Sequence, residues 1–92
     1  MARVDPLATV LDFLNGLQPK IGAQIAKQVL ALNVDPLPAD SEQLSGYQGF
    51  YRVDSGENRI VYRFFSQQDL VEVILLGRRN DDAYKRLKHL LG

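Results

Sequence analysis

LSGYQGFYRVDSGENRIVYRFFSQQDLVEVILLGRRNDDAY, residues 44–84, decides the fold. It holds three strand-like runs separated by two short turns. The first run spans about 49–54 and the second 58–65, with Ser55-Gly56-Glu57-Asn58 between them as a hairpin turn in which Gly56 is free to take positive φ. Alternation along the second run puts Arg59, Val61, Arg63 and Phe65 on one face and Ile60, Tyr62 and Phe64 on the other. The wholly apolar set should face helices, which turns Arg59 and Arg63 outward. In the first run Arg52 and Asp54 share a face, with Tyr51 and Val53 opposite. After a turn at 66–69 comes a third run, 70–76. It is apolar at nearly every position, as a central strand should be, and Gly77 is expected to break it, with Arg78-Arg79 at its end.

Helices flank this sheet. Upstream, Met1 to Val4 is a possible short edge strand, and Asp5-Pro6 suits a helix start, with Asp as cap and Pro at the first helical position. Leu7, Val10, Leu11 and Leu14 make one apolar stripe that Gly16 ends; Pro19 opens a second helix lined by Ile21, Ile25, Val29 and Leu32. So short a connection forces antiparallel packing. The Pro- and Asp-rich stretch 33–46 is a loop. Downstream, Asn80 or Asp81 caps a final helix over about 81–91, whose early acids and later bases suit the helix dipole. The expected fold is one α+β domain over residues 1–92: an N-terminal αα-hairpin packed on a small antiparallel sheet, with a C-terminal helix.

Composition narrows the chemistry. With 46% hydrophobic and 24% charged residues the chain is an ordinary globular protein. It has no Cys and one His, which excludes disulfides, zinc–thiolate sites and thiol nucleophiles and argues against a His-rich metal site. No metal or cofactor is expected. No apolar run is long enough to span a membrane, and MARVDPL lacks a signal-peptide apolar region, so the cytoplasm is the expected compartment. The 11 basic and 11 acidic residues cancel, but unevenly. Residues 1–46 carry three bases and five acids; residues 47–92 carry eight and six. A polyanion site should therefore be local and lie in the second half.

Arg52, Arg59, Arg63, Arg78 and Arg79 come from three strands or their ends. If the strands are neighbours, their guanidinium groups converge on one face, where they match a phosphate in bidentate geometry and stabilise the added charge of a five-coordinate transition state. Tyr84 at the rim can stack on an unpaired base or donate a proton. The same residues can instead form cross-strand salt bridges with Asp54, Glu57 and Glu72. Asp54 itself suits either a base toward a ribose hydroxyl or a partner for arginine. His89, Asp81 and Asp82 read as helix-end residues. Walker-type, dinucleotide and Ser-His-Asp signatures are absent.

Taken in order, Leu44-x-Gly46, Tyr51-Arg52-Val53, Arg59-Ile60-Val61-Tyr62, Gly77-Arg78-Arg79 and a Tyr near the last helix make a pattern that resembles the RelE/ParE superfamily of bacterial toxins, most closely RelE, over about residues 5–90. The resemblance implies a ribosome-dependent endoribonuclease. Such a toxin enters the A site and cuts mRNA by attack of the ribose 2′-hydroxyl on the adjacent phosphate, without a metal. It also implies a cognate antitoxin that wraps the toxin. On the matching positions, Arg52 is the basic residue after the first-strand Tyr, Arg59 clamps the phosphate, Arg79 stabilises the transition state and Tyr84 stacks on a base. Arg63, Arg78 and Lys85 are further RNA contacts. The chain departs from the pattern where a second lysine is expected, at Asp54, and in its zero net charge. Those departures leave a ParE-like toxin that poisons DNA gyrase without nuclease chemistry as the alternative.

Overall fold

A computed structural model of the chain describes residues 3–6, 15–78, 85 and 87–89, the first four by their backbone alone. The proposed first helix, residues 7–16, lies almost wholly outside the described residues. The second starts where expected: α1 spans Pro19–Ala31, with Pro19 in its first turn, where a missing N–H costs nothing. Its stripe of Ile25 and Val29, continued by Leu32 beyond its end, is buried.

The strands are β1 (Arg3–Pro6), β2 (Glu42–Gln43), β3 (Phe50–Ser55), β4 (Asn58–Phe65) and β5 (Leu70–Arg78). They form a five-stranded sheet in the order β1-β5-β4-β3-β2. From β2 to β5 every pairing is antiparallel, but β1 pairs with β5 in parallel, Arg3 beside Leu70 and Pro6 beside Val73. The architecture is α+β as expected, yet three expectations are corrected. Asp5-Pro6 does not start a helix; both residues belong to β1. Proline is tolerated there because β1 is an edge strand and Pro6 is its last residue. The sheet is therefore mixed. Finally, Gly77 does not break the third run: β5 continues through it, Gly77 opposite Arg59 and Arg78 opposite Asn58.

β3 and β4 meet in a two-residue hairpin with Ser55 opposite Asn58. Gly56 holds φ +60° at the first central position, where a side chain would be strained. Between β4 and β5 the ladder slips once. Val61 faces Leu75 and Tyr62 faces Val73, so Ile74 is an extra residue, a β-bulge.

Each sheet face carries its own core. On the α1 face Val53, Ile60, Tyr62, Val71, Val73 and Leu76 pack with Ile25, Val29 and Leu32. Tyr62 is fully buried, stacks on Tyr51 at 5.9 Å, and donates its hydroxyl to the Pro36 carbonyl at 2.7 Å, which ties the loop after α1 to the sheet. Burial pushes that hydroxyl up from 10.0 to about 12. On the opposite face Phe50, Val61, Ile74 and Leu75 pack with Leu44 and with Leu87. Leu87 belongs to the C-terminal segment, in which residues 85 and 87–89 are helical.

Candidate phosphate-binding face

The face that carries Leu87 also carries the arginines. Register fixes their arrangement. Arg52 on β3 lies directly opposite Val61 on β4. Arg59 and Arg63 lie two residues before and after Val61, hence on the same side of the sheet. Diagonal neighbours of this kind sit about 7–8 Å apart. Three arginines thus ring one buried valine on the same face of the sheet, around the core that Leu87 covers.

Each arginine is already engaged. Arg59 Nε donates to Asp54 Oδ1 at 2.9 Å, directly across the β3–β4 ladder. Asp54 accepts from Nε; the two Nη nitrogens of Arg59 form the fork, the part of a guanidinium that grips phosphate bidentately. Arg52 pairs through Nη2 with Glu42 at 2.5 Å, also its register partner, on β2. Glu42 is 67% exposed, so solvent weakens this pair and an incoming phosphate can compete for Arg52. Arg63 pairs with rings instead of an acid: its guanidinium carbon lies 5.0 Å from the Phe50 centroid and 4.6 Å from that of Phe65. Glu72 is the register partner of Arg63 on β5, but among the described residues the contacts of the guanidinium are with the rings.

The structure brings Arg52, Asp54, Arg59 and Arg63 together and sets the other expected residues apart. Arg78 is opposite Asn58, which shares the α1 face with Ile60. The bulge at Ile74 is the cause, since an extra residue inverts the alternation of everything after it. The expected convergence of Arg78 on the arginine face is thereby corrected. Lys85 is exposed on the helical C-terminal segment. Arg79 and Tyr84 lie outside the described residues. Of the salt bridges foreseen to Asp54, Glu57 and Glu72, the one seen among the described residues is Arg59 to Asp54. Glu42, Phe50 and Phe65 were missed as partners, because the pairing of β2 and the packing beside Phe50 are tertiary facts with no local signal. Among the described residues no group of three or more His, Cys, Asp or Glu could hold a metal, and no helix is long and apolar enough to cross a membrane.

An α+β sheet of this order, with an arginine face beside a C-terminal helix, defines a recognisable class of small folds. No family model and no curated protein sequence matches the chain. Solved structures do. The fold is that of RelE toxins. RelE from a RelE–RelB complex of Pyrococcus horikoshii superposes with a TM-score of 0.77 at 21% identity, covering 88% of this chain and 98% of that one. The isolated Escherichia coli RelE toxin gives 0.74 at 19%, over the whole of both chains. A chain of the Mycobacterium tuberculosis toxin–antitoxin complex RelBE2 gives 0.74 at 22%, over 85% and 98%.

Proposed function

We propose that this chain is the toxin of a toxin–antitoxin pair and that it cuts mRNA in the ribosomal A site. The observation that carries the reading is the arginine trio around Val61, on a fold shared with RelE toxins of three organisms, two of them in complexes with an antitoxin. The ribose 2′-oxygen attacks the adjacent phosphorus and the bond to the 5′-oxygen of the next nucleotide breaks. The 2′-hydroxyl loses a proton and the departing 5′-oxygen gains one. Negative charge accumulates on the phosphoryl oxygens between these events, and fixed guanidinium groups stabilise it without having to reorganise. Arg59 grips the phosphate through its Nη fork, Arg52 exchanges Glu42 for the phosphate, and Arg63 supports both by field and shape. Asp54 holds Arg59 by Nε. Arg79 and Tyr84 carry the roles the resemblance implies, as transition-state donor and base stacker; Lys85 contacts RNA farther along. The partners are the cognate antitoxin, mRNA and the ribosome, in the cytoplasm.

Pulse labelling after induction in a bacterial host tests this, with methionine and thymidine followed in parallel. Methionine incorporation should stop first, with new RNA ends inside translated reading frames. Thymidine incorporation stopping first, without RNA ends, would overturn the nuclease reading in favour of a gyrase poison.

A further inference from the structure

We infer that a neutral groove at the end of the sheet holds an unpaired base of the RNA and decides which sequences are cut. The inference rests on the mRNA-cleaving reading above. The groove has a volume of about 750 Å³ and is bordered by Leu37, Gln43, the 46–49 loop, Tyr51, Phe64 and Ser66. Tyr51 and Phe64 belong to the α1 face, and Gln43 is the register partner of Tyr51, so the groove opens around the corner from the arginines.

Its chemistry selects the ligand. Among the described residues that line it none is charged, so it offers no fixed cation to a phosphate or an acidic peptide. The half-buried rings of Tyr47, Tyr51 and Phe64 offer stacking surfaces, and the stack on Tyr62 holds Tyr51 in place. The amides of Gln43 and Gln48 each present a donor beside an acceptor, the pairing that reads a base edge. Gly49, at φ +83°, has nothing within 4 Å of where a Cβ would stand, so bare backbone borders the space. A planar, neutral, hydrogen-bonding ring satisfies all of these features.

The groove is also joined to the phosphate face. Tyr47 packs edge-on against Phe50 at 5.9 Å, and Phe50 is the ring beneath Arg63. One phenylalanine thus separates the base site from the arginine row, so a strand whose phosphate lies on Arg59 can turn over the end of the sheet and place a flanking base between Tyr47 and Tyr51.

The test uses the full chain on ribosomes programmed with mRNAs that differ at each A-site nucleotide, timing the appearance of cut ends. Gln43 and Gln48 are both exposed, and replacing them with Ala together should cost the fold little. In the Gln43→Ala, Gln48→Ala variant the gap between favoured and disfavoured sequences should close by about tenfold, the loss falling on the favoured ones. Arg52→Ala should slow all sequences alike. A wild-type chain that cuts without preference, or a double variant that keeps the full preference, would overturn the groove and leave the nuclease reading standing. If the wild type produces no cut ends, the nuclease reading fails and takes the groove with it. A double variant with unaltered preference but weakened binding of the neighbouring gene's protein product would assign the groove to a protein segment instead.

Discussion

The two faces of the sheet are built from the same strands and differ in what surrounds their apolar centres. On the α1 face Val53, Ile60, Tyr62, Val71, Val73 and Leu76 meet α1, and the one polar atom at the centre, the Tyr62 hydroxyl, is satisfied by Pro36. On the other face a smaller core around Val61 is ringed by Arg52, Arg59 and Arg63 with their partners Glu42 and Asp54. The first arrangement supplies stability, and only its rim rings, Tyr51 and Phe64, reach the groove at the end of the sheet. The second gives up apolar contact at its rim for charge. A sheet this small can do both because alternation assigns successive residues to separate tasks. Side chains that hold the fold together are thus separated from those that meet a ligand by one residue of sequence.

Substitutions can break that separation. Ile60→Ala, on the α1 face, should have the largest effect on stability. It removes a fully buried side chain, and a loss of about 2–5 kcal/mol is a large part of what a domain this size has. Urea denaturation should show it; an unchanged midpoint would mean that this face is not the main core.

One residue earlier, Arg59→Ala should spare the fold and lower RNA cleavage by roughly 100- to 1,000-fold, as loss of an oxyanion donor does. Asp54→Asn separates two roles for its neighbour. An amide oxygen can still accept from Arg59 Nε, so the variant should keep most of its activity while Asp54→Ala loses it. Equal loss in both would make Asp54 a proton acceptor.

Tyr62→Phe should cost about 1 kcal/mol by removing the bond to Pro36. It should also change the alkaline limb of stability. With the folded hydroxyl at about 12 and its ordinary value at 10.0, the unfolded chain releases its proton first. The contribution is therefore complete below about pH 10 and lost as pH rises toward 12. A variant whose melting tracks wild type through that window would show that Tyr62 is not held protonated. The smallest effect belongs to Glu42→Ala. Its pair with Arg52 is largely in solvent, so stability should move by less than about 1 kcal/mol, while release of Arg52 should raise affinity for RNA at low salt.

Much of this division was legible beforehand. The 58–65 strand has the bounds its alternation predicts, α1 begins at its proline, and Ile60 and Tyr62 face the helix while Arg59 and Arg63 do not. Local patterning was sufficient wherever one face of an element is apolar. It failed where a distant partner decides. Asp5-Pro6 carries a good helix-start signal, but pairing with Glu72 and Val73 overrides it. Glu42 sits in a stretch that reads as loop and becomes strand only because Arg52 lies beside it. The apolar residues of 70–76 gave no parity, so the second core and the face of Arg78 could not be read from them.

The bulge at Ile74 has a bearing on how the chain can change its length. With Ile74 as the extra residue, Val73 and Leu76 face α1 on either side of it, while Gly77 stays beneath Arg59. Removing that residue would straighten the ladder and leave every other side chain of β5 on its present face. Deleting Leu75 instead would do the same, since Ile74 and Leu75 share a face, whereas a deletion outside this pair would shift the alternation of the residues beyond it. β5 therefore has one place, this pair, where natural variants can lose a residue and keep both faces in order, and relatives of this protein with a shorter last strand should have the gap there.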